Sequence, residues 1–320
     1  MYNAIVSGLG HYAPKHSVSN DDLAKIMDTS DEWIYSRTGI RHRYIAVEET
    51  SYEMAAKAAV EALSHTSLKG EELDLIIVAT FTGEYATPSM ACLVQKALGA
   101  DKAMCFDVGA ACSGFVYGID VADQFIKTGK FKNALVIGSE KISQILNWED
   151  RGTCVLFGDG AGALVLEQGE SGGIISTSNH AMGKDFDCLY AKNKVNKTPF
   201  YEGSDEHNLL MNGQEVFQFA CTKVPMSIQA LMKDHDLTAE DIDYFVLHQA
   251  NERIIRKIAK RLKVDLSKCF MNMDKYGNTS AASIPIALSE MSEQGLLAGK
   301  KVIVAGFGAG LTYGCSLIQF

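Results

Sequence analysis

Two stretches far apart in the chain follow the same pattern, and that pattern limits the folds open to it. Leu73-Asp-Leu-Ile-Ile-Val78 is matched 169 residues later (242 − 73) by Ile242-Asp-Tyr-Phe-Val-Leu247. Val136-Ile-Gly138 is matched 168 residues later (304 − 136) by Val304-Ala-Gly306. A near-constant offset over matching elements points to an internal duplication. In each half, short apolar runs alternate with helix-length segments, the pattern of parallel sheets covered by helices. A chain of 320 residues has room for two such halves with cores of their own. The junction is expected at 169–173, which divides the chain into 1–170 and 171–320.

Strands are predicted over 4–10, 73–80, 103–108, 134–138 and 244–247, and helices over 51–64, 88–98, 113–128, 253–263 and 284–293. Asn20 or Asp21 is expected to cap a helix running to Met27. The stretch 29–43 is polar with one Trp and reads as a surface segment. Phe157-Gly-Asp-Gly-Ala-Gly162 lies between apolar runs and suggests a tight turn between strands. The polar, irregular stretch 182–208 reads as an excursion from the core.

Composition narrows the function classes. Apolar residues make up 47% and charged residues 22%, as in an ordinary globular protein. The net charge of −9 argues against general nucleic-acid binding. No apolar run reaches the eighteen or so residues of a membrane span, and 1–10 carries no secretory pattern. A cytoplasmic location is therefore expected. The eight cysteines form no C-x-x-C pair, so neither a zinc site nor a disulfide framework is indicated, and no metal is expected.

The chemistry-bearing residues fall at the ends of the predicted strands. Cys112 follows the strand 103–108 and small residues Gly109-Ala-Ala111, at or near the start of the next helix. There the free N–H groups and helix dipole favour a thiolate, so a lowered thiol pKa is expected. By itself this stretch is equally the pattern of a buried structural cysteine. His248 closes the strand 244–247, and Asn278 lies in a turn opening the helix 284–293, 166 residues after Cys112 (278 − 112). In open α/β sheets ligands bind at the carboxyl ends of strands, so the three converge on one kind of edge. The run 306–314 looks like a dinucleotide loop, but it lies too close to the end of the chain to open a βαβ unit. It is expected instead to be a turn whose N–H groups face the site. The stretch 253–263 reads as an amphipathic helix with Arg253, Arg256, Lys257, Lys260 and Arg261 on one face. Either a solvated face or a surface for an acidic partner fits that pattern.

Together these stretches resemble β-ketoacyl-acyl carrier protein synthase III, of the thiolase-like superfamily. The resemblance runs nearly end to end. It rests on Asp28-Thr-Ser-Asp-Glu-Trp-Ile-Tyr-Ser-Arg-Thr-Gly-Ile-Arg41, Ala110-Ala-Cys-Ser-Gly-Phe115, Asp150-Arg-Gly152, Phe157-Gly-Asp-Gly-Ala-Gly162, His248-Gln-Ala-Asn251 and Gly277-Asn-Thr-Ser-Ala-Ala-Ser283. It implies a five-layered αβαβα fold of two duplicated halves, and a homodimer. It implies decarboxylative condensation of an acyl-CoA primer with malonyl-acyl carrier protein, initiating type II fatty acid synthesis. Acyl-CoA is then a substrate, and no cofactor is expected. The implied triad is Cys112 as nucleophile, with His248 and Asn278 donating to the malonyl enolate. The implied oxyanion donors are the backbone N–H groups of Cys112 and Ala309. Trp33, Arg37, Arg151 and Asn251 are the implied CoA contacts. Thr87, Phe217 and Phe307 are the implied acyl channel, and the basic face 253–261 the implied carrier-protein dock.

The chain departs from the family pattern twice. Ala309 stands where Gly is frequent, and its Cβ is expected to restrict the backbone that forms the oxyanion site. Thr87 stands where some members carry Phe at the end of the acyl pocket, which leaves the primer open. A related synthase of secondary metabolism, a papain-like hydrolase (which also orders Cys, His, Asn) and a non-catalytic acyl-binding scaffold are the competing functions. The duplication argues against the hydrolase, and the complete triad against the scaffold.

Overall fold

The computed structural model describes residues 2–320. One sheet draws its strands from the first half: β1 (Asn3–Tyr12), β2 (Leu75–Ala79), β3 (Met104–Val108), β4 (Asn133–Glu140) and β5 (Gly160–Gly169), in the order β1-β5-β4-β2-β3. The other comes from the second half: β6 (Gly173–Ala181), β7 (Tyr244–Leu247), β8 (Lys301–Gly308) and β9 (Thr312–Gln319), in the order β6-β9-β8-β7. The two orders match strand for strand, with the same parallel and antiparallel neighbours. The counterpart of β3 is reduced to a single parallel bridge, Phe245 to Cys269. Central strands such as Leu75–Ala79 are buried on both faces, which is why they read as unbroken apolar runs.

Helices α1 (Asp31–Thr38), α2 (Ser51–Ser64), α3 (Met90–Leu98), α4 (Gly114–Lys127), α5 (Gly213–Asp234), α6 (Glu252–Leu262) and α7 (Ser283–Glu293) complete the fold. Helices α2 and α3 cover the outer face of the first sheet, and α5, backed by α6, covers the outer face of the second. Helices α4 and α7 touch both sheets and form the middle layer. The chain therefore has the five-layered αβαβα architecture. Apolar clusters fill the interfaces, one under each outer layer and one running through the middle layer against both sheets.

Several local expectations need correction. The first helical turn spans only Asn20–Leu23, and its cap is Ser19, in a reciprocal capping box with Asp22. The segment 29–43 is not a plain surface stretch. Ser30 caps α1, Gly39 ends it at φ 79, and Ile34 and Arg43 are fully buried. The Arg43 guanidinium holds the Val155 carbonyl at 2.7 Å and Asn20 Oδ1 at 2.8 Å. Gly160 to Gly162 form no turn; they begin β5. A Cβ on Gly162 would meet the backbone of Pro285 and Ile286 at 2.7–2.8 Å, so glycine there permits α7 to pack close. Gly306 to Gly308 likewise belong to β8, and the turn before β9 is shorter than expected. The excursion after β6 is present, closed by pairing of Leu189–Ala191 with Leu209–Met211.

Candidate active site

Each half contributes a tight helical turn leading into a middle-layer helix. Ala111–Ser113 leads into α4, and Ser280–Ala282 leads into α7. The turns are duplicates, and both open with a residue in the left-handed region: Ala111 at φ 45 and Ser280 at φ 51. The strict counterpart of Ala111 is thus Ser280 (280 − 111 = 169), so Asn278 stands two residues ahead of the duplicated turn.

Cys112 sits in the first turn and is almost fully buried. The last residues of β8 run against it; a Cβ on Gly308 would come within 2.9 Å of Cys112 N and Cβ. Its sulfur accepts a hydrogen bond from Ser280 Oγ at 3.1 Å. The expectation of a lowered thiol pKa is overturned. Burial, together with the nearby Glu140 carboxyl, pushes Cys112 up to about 12, while the Ser280 hydroxyl pulls the other way. Desolvation outweighs the hydrogen bonds to the sulfur, so the resting side chain is a thiol.

His248 follows β7 directly, and its N–H donates to Ala305 O at 2.8 Å. The ring is buried, packs edge-on against Phe307 at 5.0 Å, and places Nδ1 2.7 Å from Ser283 Oγ. Burial lowers its pKa to about 3, so the imidazole is neutral. Ser283 Oγ also accepts the Gln249 N–H at 3.3 Å, and its contact with Nδ1 fixes the orientation of the ring. Asn278 is fixed through its backbone to Leu156 and Gly158. Its Oδ1 accepts Ser280 N–H at 2.9 Å, which leaves the side-chain NH2 as donor toward the cavity.

Cys112, His248 and Asn278 line one cavity of about 490 Å³, together with Phe217, Phe307, Asn251, Arg37 and Trp33. At its outer end the Arg37 and Arg151 guanidiniums lie 4.7 and 5.0 Å from the Trp33 ring. Arg151 also pairs with Asp28 at 3.2 Å. Asn251 caps α6 and donates to Arg37 O at 3.1 Å. A second, largely apolar cavity of about 440 Å³ shares Cys112, Phe157 and Leu189 with the first, and Phe81, Ile145, Leu209 and Ala309 line it.

Two expected residues behave differently. Thr87 lies on an exposed loop and lines neither cavity. Ala309 is not among the left-handed residues, so its Cβ puts no strain on the backbone there. On α6 all five basic side chains are exposed, but Arg256 is held by Glu252 at 2.6 Å and Arg261 donates to Cys221 O at 2.7 Å. Ser280, Ser283 and Gly308 were missed. Both serines stand in Gly277-Asn-Thr-Ser-Ala-Ala-Ser283, two and five residues after Asn278, where only the asparagine had been weighed.

Comparisons with known proteins give the family. Residues 106–183 match the family described as 3-oxoacyl-(acyl-carrier-protein (ACP)) synthase III, and residues 232–320 match its C-terminal part. The chain is 48% identical to the β-ketoacyl-(acyl-carrier-protein) synthase III of Clostridium acetobutylicum, covering 100% of this chain and 99% of that one. It is 50% identical to that of Clostridium novyi, covering 100% of both. The crystal structure of 3-oxoacyl-(acyl-carrier-protein) synthase III from Aquifex aeolicus superposes with a TM-score of 0.94 at 45% identity, covering 99% of this chain and 100% of that one. With these likenesses spanning the whole chain, it belongs to the 3-oxoacyl-(acyl-carrier-protein) synthase III family of condensing acyltransferases.

Proposed function

We propose that Cys112, His248 and Asn278 carry out a two-stage condensation in which an acyl-CoA primer is joined to malonyl-acyl carrier protein. The supporting observation is the single cavity, with a thiol, a neutral imidazole and a carboxamide at its floor and a Trp–Arg cluster at its mouth. In the first stage the Cys112 sulfur attacks the thioester carbonyl, and its proton leaves with the CoA sulfur. The backbone N–H groups of Cys112 and Ala309 hold the oxyanion. In the second stage the malonyl carboxylate departs as CO2. The electron pair left behind forms an enolate, held by His248 Nε2–H and Asn278 Nδ2–H. The enolate carbon attacks acyl-Cys112, the C–S bond breaks, and the sulfur recovers a proton.

Trp33, Arg37, Arg151 and Asn251 hold CoA. At 5.0 Å the Arg151 guanidinium rests on the indole itself, so an adenine ring enters only when Arg151 swings aside. The second cavity takes the acyl chain. Arg253, Lys257, Lys260 and Arg261 meet the acidic carrier protein, with Arg256 contributing less because Glu252 neutralises it. The enzyme works in the cytoplasm, without a resident cofactor, as two halves within each chain (1–170 and 171–320) and as a homodimer. Support for the dimer is the open edge of β3, beside the exposed Phe81, Tyr85 and Met104. Thr87 reaches an acyl cavity only if a partner's loop is carried across that edge. The test is mass mapping after incubation with acetyl-CoA. The acyl group is expected on Cys112 alone, and label confined to another cysteine overturns the assignment.

A further inference from the structure

Ser280 is the duplicate of Ala111, and the two turns face each other across the site. The first half builds this left-handed turn with alanine, so the fold does not need a hydroxyl there. Nor does the hydroxyl cap a helix: neither the turn 280–282 nor α7 has a side-chain cap. Ser280 is fully buried, and its Oγ has one hydrogen-bond partner among the described residues, the Cys112 sulfur at 3.1 Å. The left-handed backbone costs a non-glycine residue strain, and here it aims the hydroxyl at the sulfur.

We propose that Ser280 is a further catalytic residue, whose hydroxyl donates to the Cys112 sulfur and stabilises it as negative charge develops. This rests on Cys112 being the nucleophile. Ser280 keeps its proton throughout. During acylation the Cys112 S–H bond breaks, the proton goes to the departing CoA sulfur, and the S–C bond forms. During condensation the same hydroxyl receives the sulfur again as the acyl group leaves. A hydrogen bond to a charged group is worth more than one to a neutral group, so the contact favours the thiolate-like transition state over the resting thiol. It opposes the burial that pushes the thiol up. The backbone N–H of Ser280 meanwhile fixes Asn278, so a side-chain change separates the two half-reactions.

The test uses Ser280→Ala and Ser280→Gly; glycine also relieves the left-handed strain. Three readouts are taken: acyl transfer from acetyl-CoA in a single turnover, the pH dependence of Cys112 alkylation by iodoacetamide, and CO2 release from malonyl-acyl carrier protein. Both variants are expected to slow acylation about ten- to hundredfold and to move the alkylation profile to higher pH, with CO2 release largely kept. Acylation at the wild-type rate with an unmoved profile in the glycine variant overturns the proposal. So does equal loss of both half-reactions, which marks a structural role. Acylation of the unaltered enzyme at a different cysteine would defeat the parent assignment instead, and mass mapping of that sample tells the two failures apart.

Discussion

His248 and Cys112 show how burial decides chemistry at single residues. Burial keeps His248 neutral down to about pH 3, and Ser283 holds its ring through Nδ1. Replacing His248 or Asn278 with Ala is expected to cut CO2 release roughly 10²–10³-fold while Cys112 still takes an acyl group. Loss of acylation with decarboxylation spared would reverse the roles. Glu140 is a further case, a fully buried carboxyl pushed up to about 8 by desolvation, with Thr82 and Thr80 as hydroxyl donors. Between the ordinary 4.5 and about 8 the unfolded chain has released this proton and the folded chain has not, so Glu140 makes stability fall as pH rises through that window. Buried His248 acts oppositely: stability falls as pH drops from 6.5 toward 3. Glu140→Gln is expected to flatten the decline in denaturation midpoint between pH 4.5 and about 8, and an unchanged pH slope would show that the carboxyl is ionised in the fold. Cys112 and His248 were legible because each closely follows an apolar run, and Asn278 because it stands in a small-residue turn close to the duplicate offset. The thiol's raised pKa was not, because a helix terminus is visible in a sequence whereas the enclosure around a sulfur is built by distant segments.

At the scale of elements, β7 with His248 and helix α6 were readable almost to the residue. Their periodicity is strong, and the buried face of α6 (Ile254, Ile255, Ile258, Ala259, Leu262) matches the apolar stripe. Helix α1 was not readable: among its side chains only Ile34 and Thr38 are buried, so its caps and not its pattern define it. The glycines of 160–162 and 306–308 misled for a related reason, since close approach by a distant backbone leaves the same mark in a sequence as a turn. On α6 the exposed Lys257 and Lys260 form no ion pair among the described residues, unlike Arg256. Lys257→Glu with Lys260→Glu is expected to raise KM for malonyl-acyl carrier protein several-fold and weaken its salt dependence, with KM for acyl-CoA nearly unchanged. Kinetics at two ionic strengths check this, and no change in either constant would leave a merely solvated face.

The whole molecule repeats one sheet order twice, and the constant offset made that visible before any coordinates. The offset could not reveal the five layers, because which helices lie between the sheets depends on side-chain volumes across the interface. The open edge of β3 is a property of this scale too. Met104 on that strand is 46% exposed, and if the proposed homodimer forms along this edge, Met104→Asp is expected to give a monomer in analytical ultracentrifugation. A dimer that persists unchanged would move the interface elsewhere. The central claim, that one cavity first loads Cys112 and then condenses, is tested most directly by a chase. Enzyme is loaded with acetyl-CoA, freed of CoA, and mixed with malonyl-acyl carrier protein while the intact mass of both proteins is followed. The acyl mass is predicted to leave Cys112 as 3-oxoacyl-carrier protein and CO2 form in equal amounts; release of the acyl group as free acid, with the carrier protein still malonylated, would contradict it.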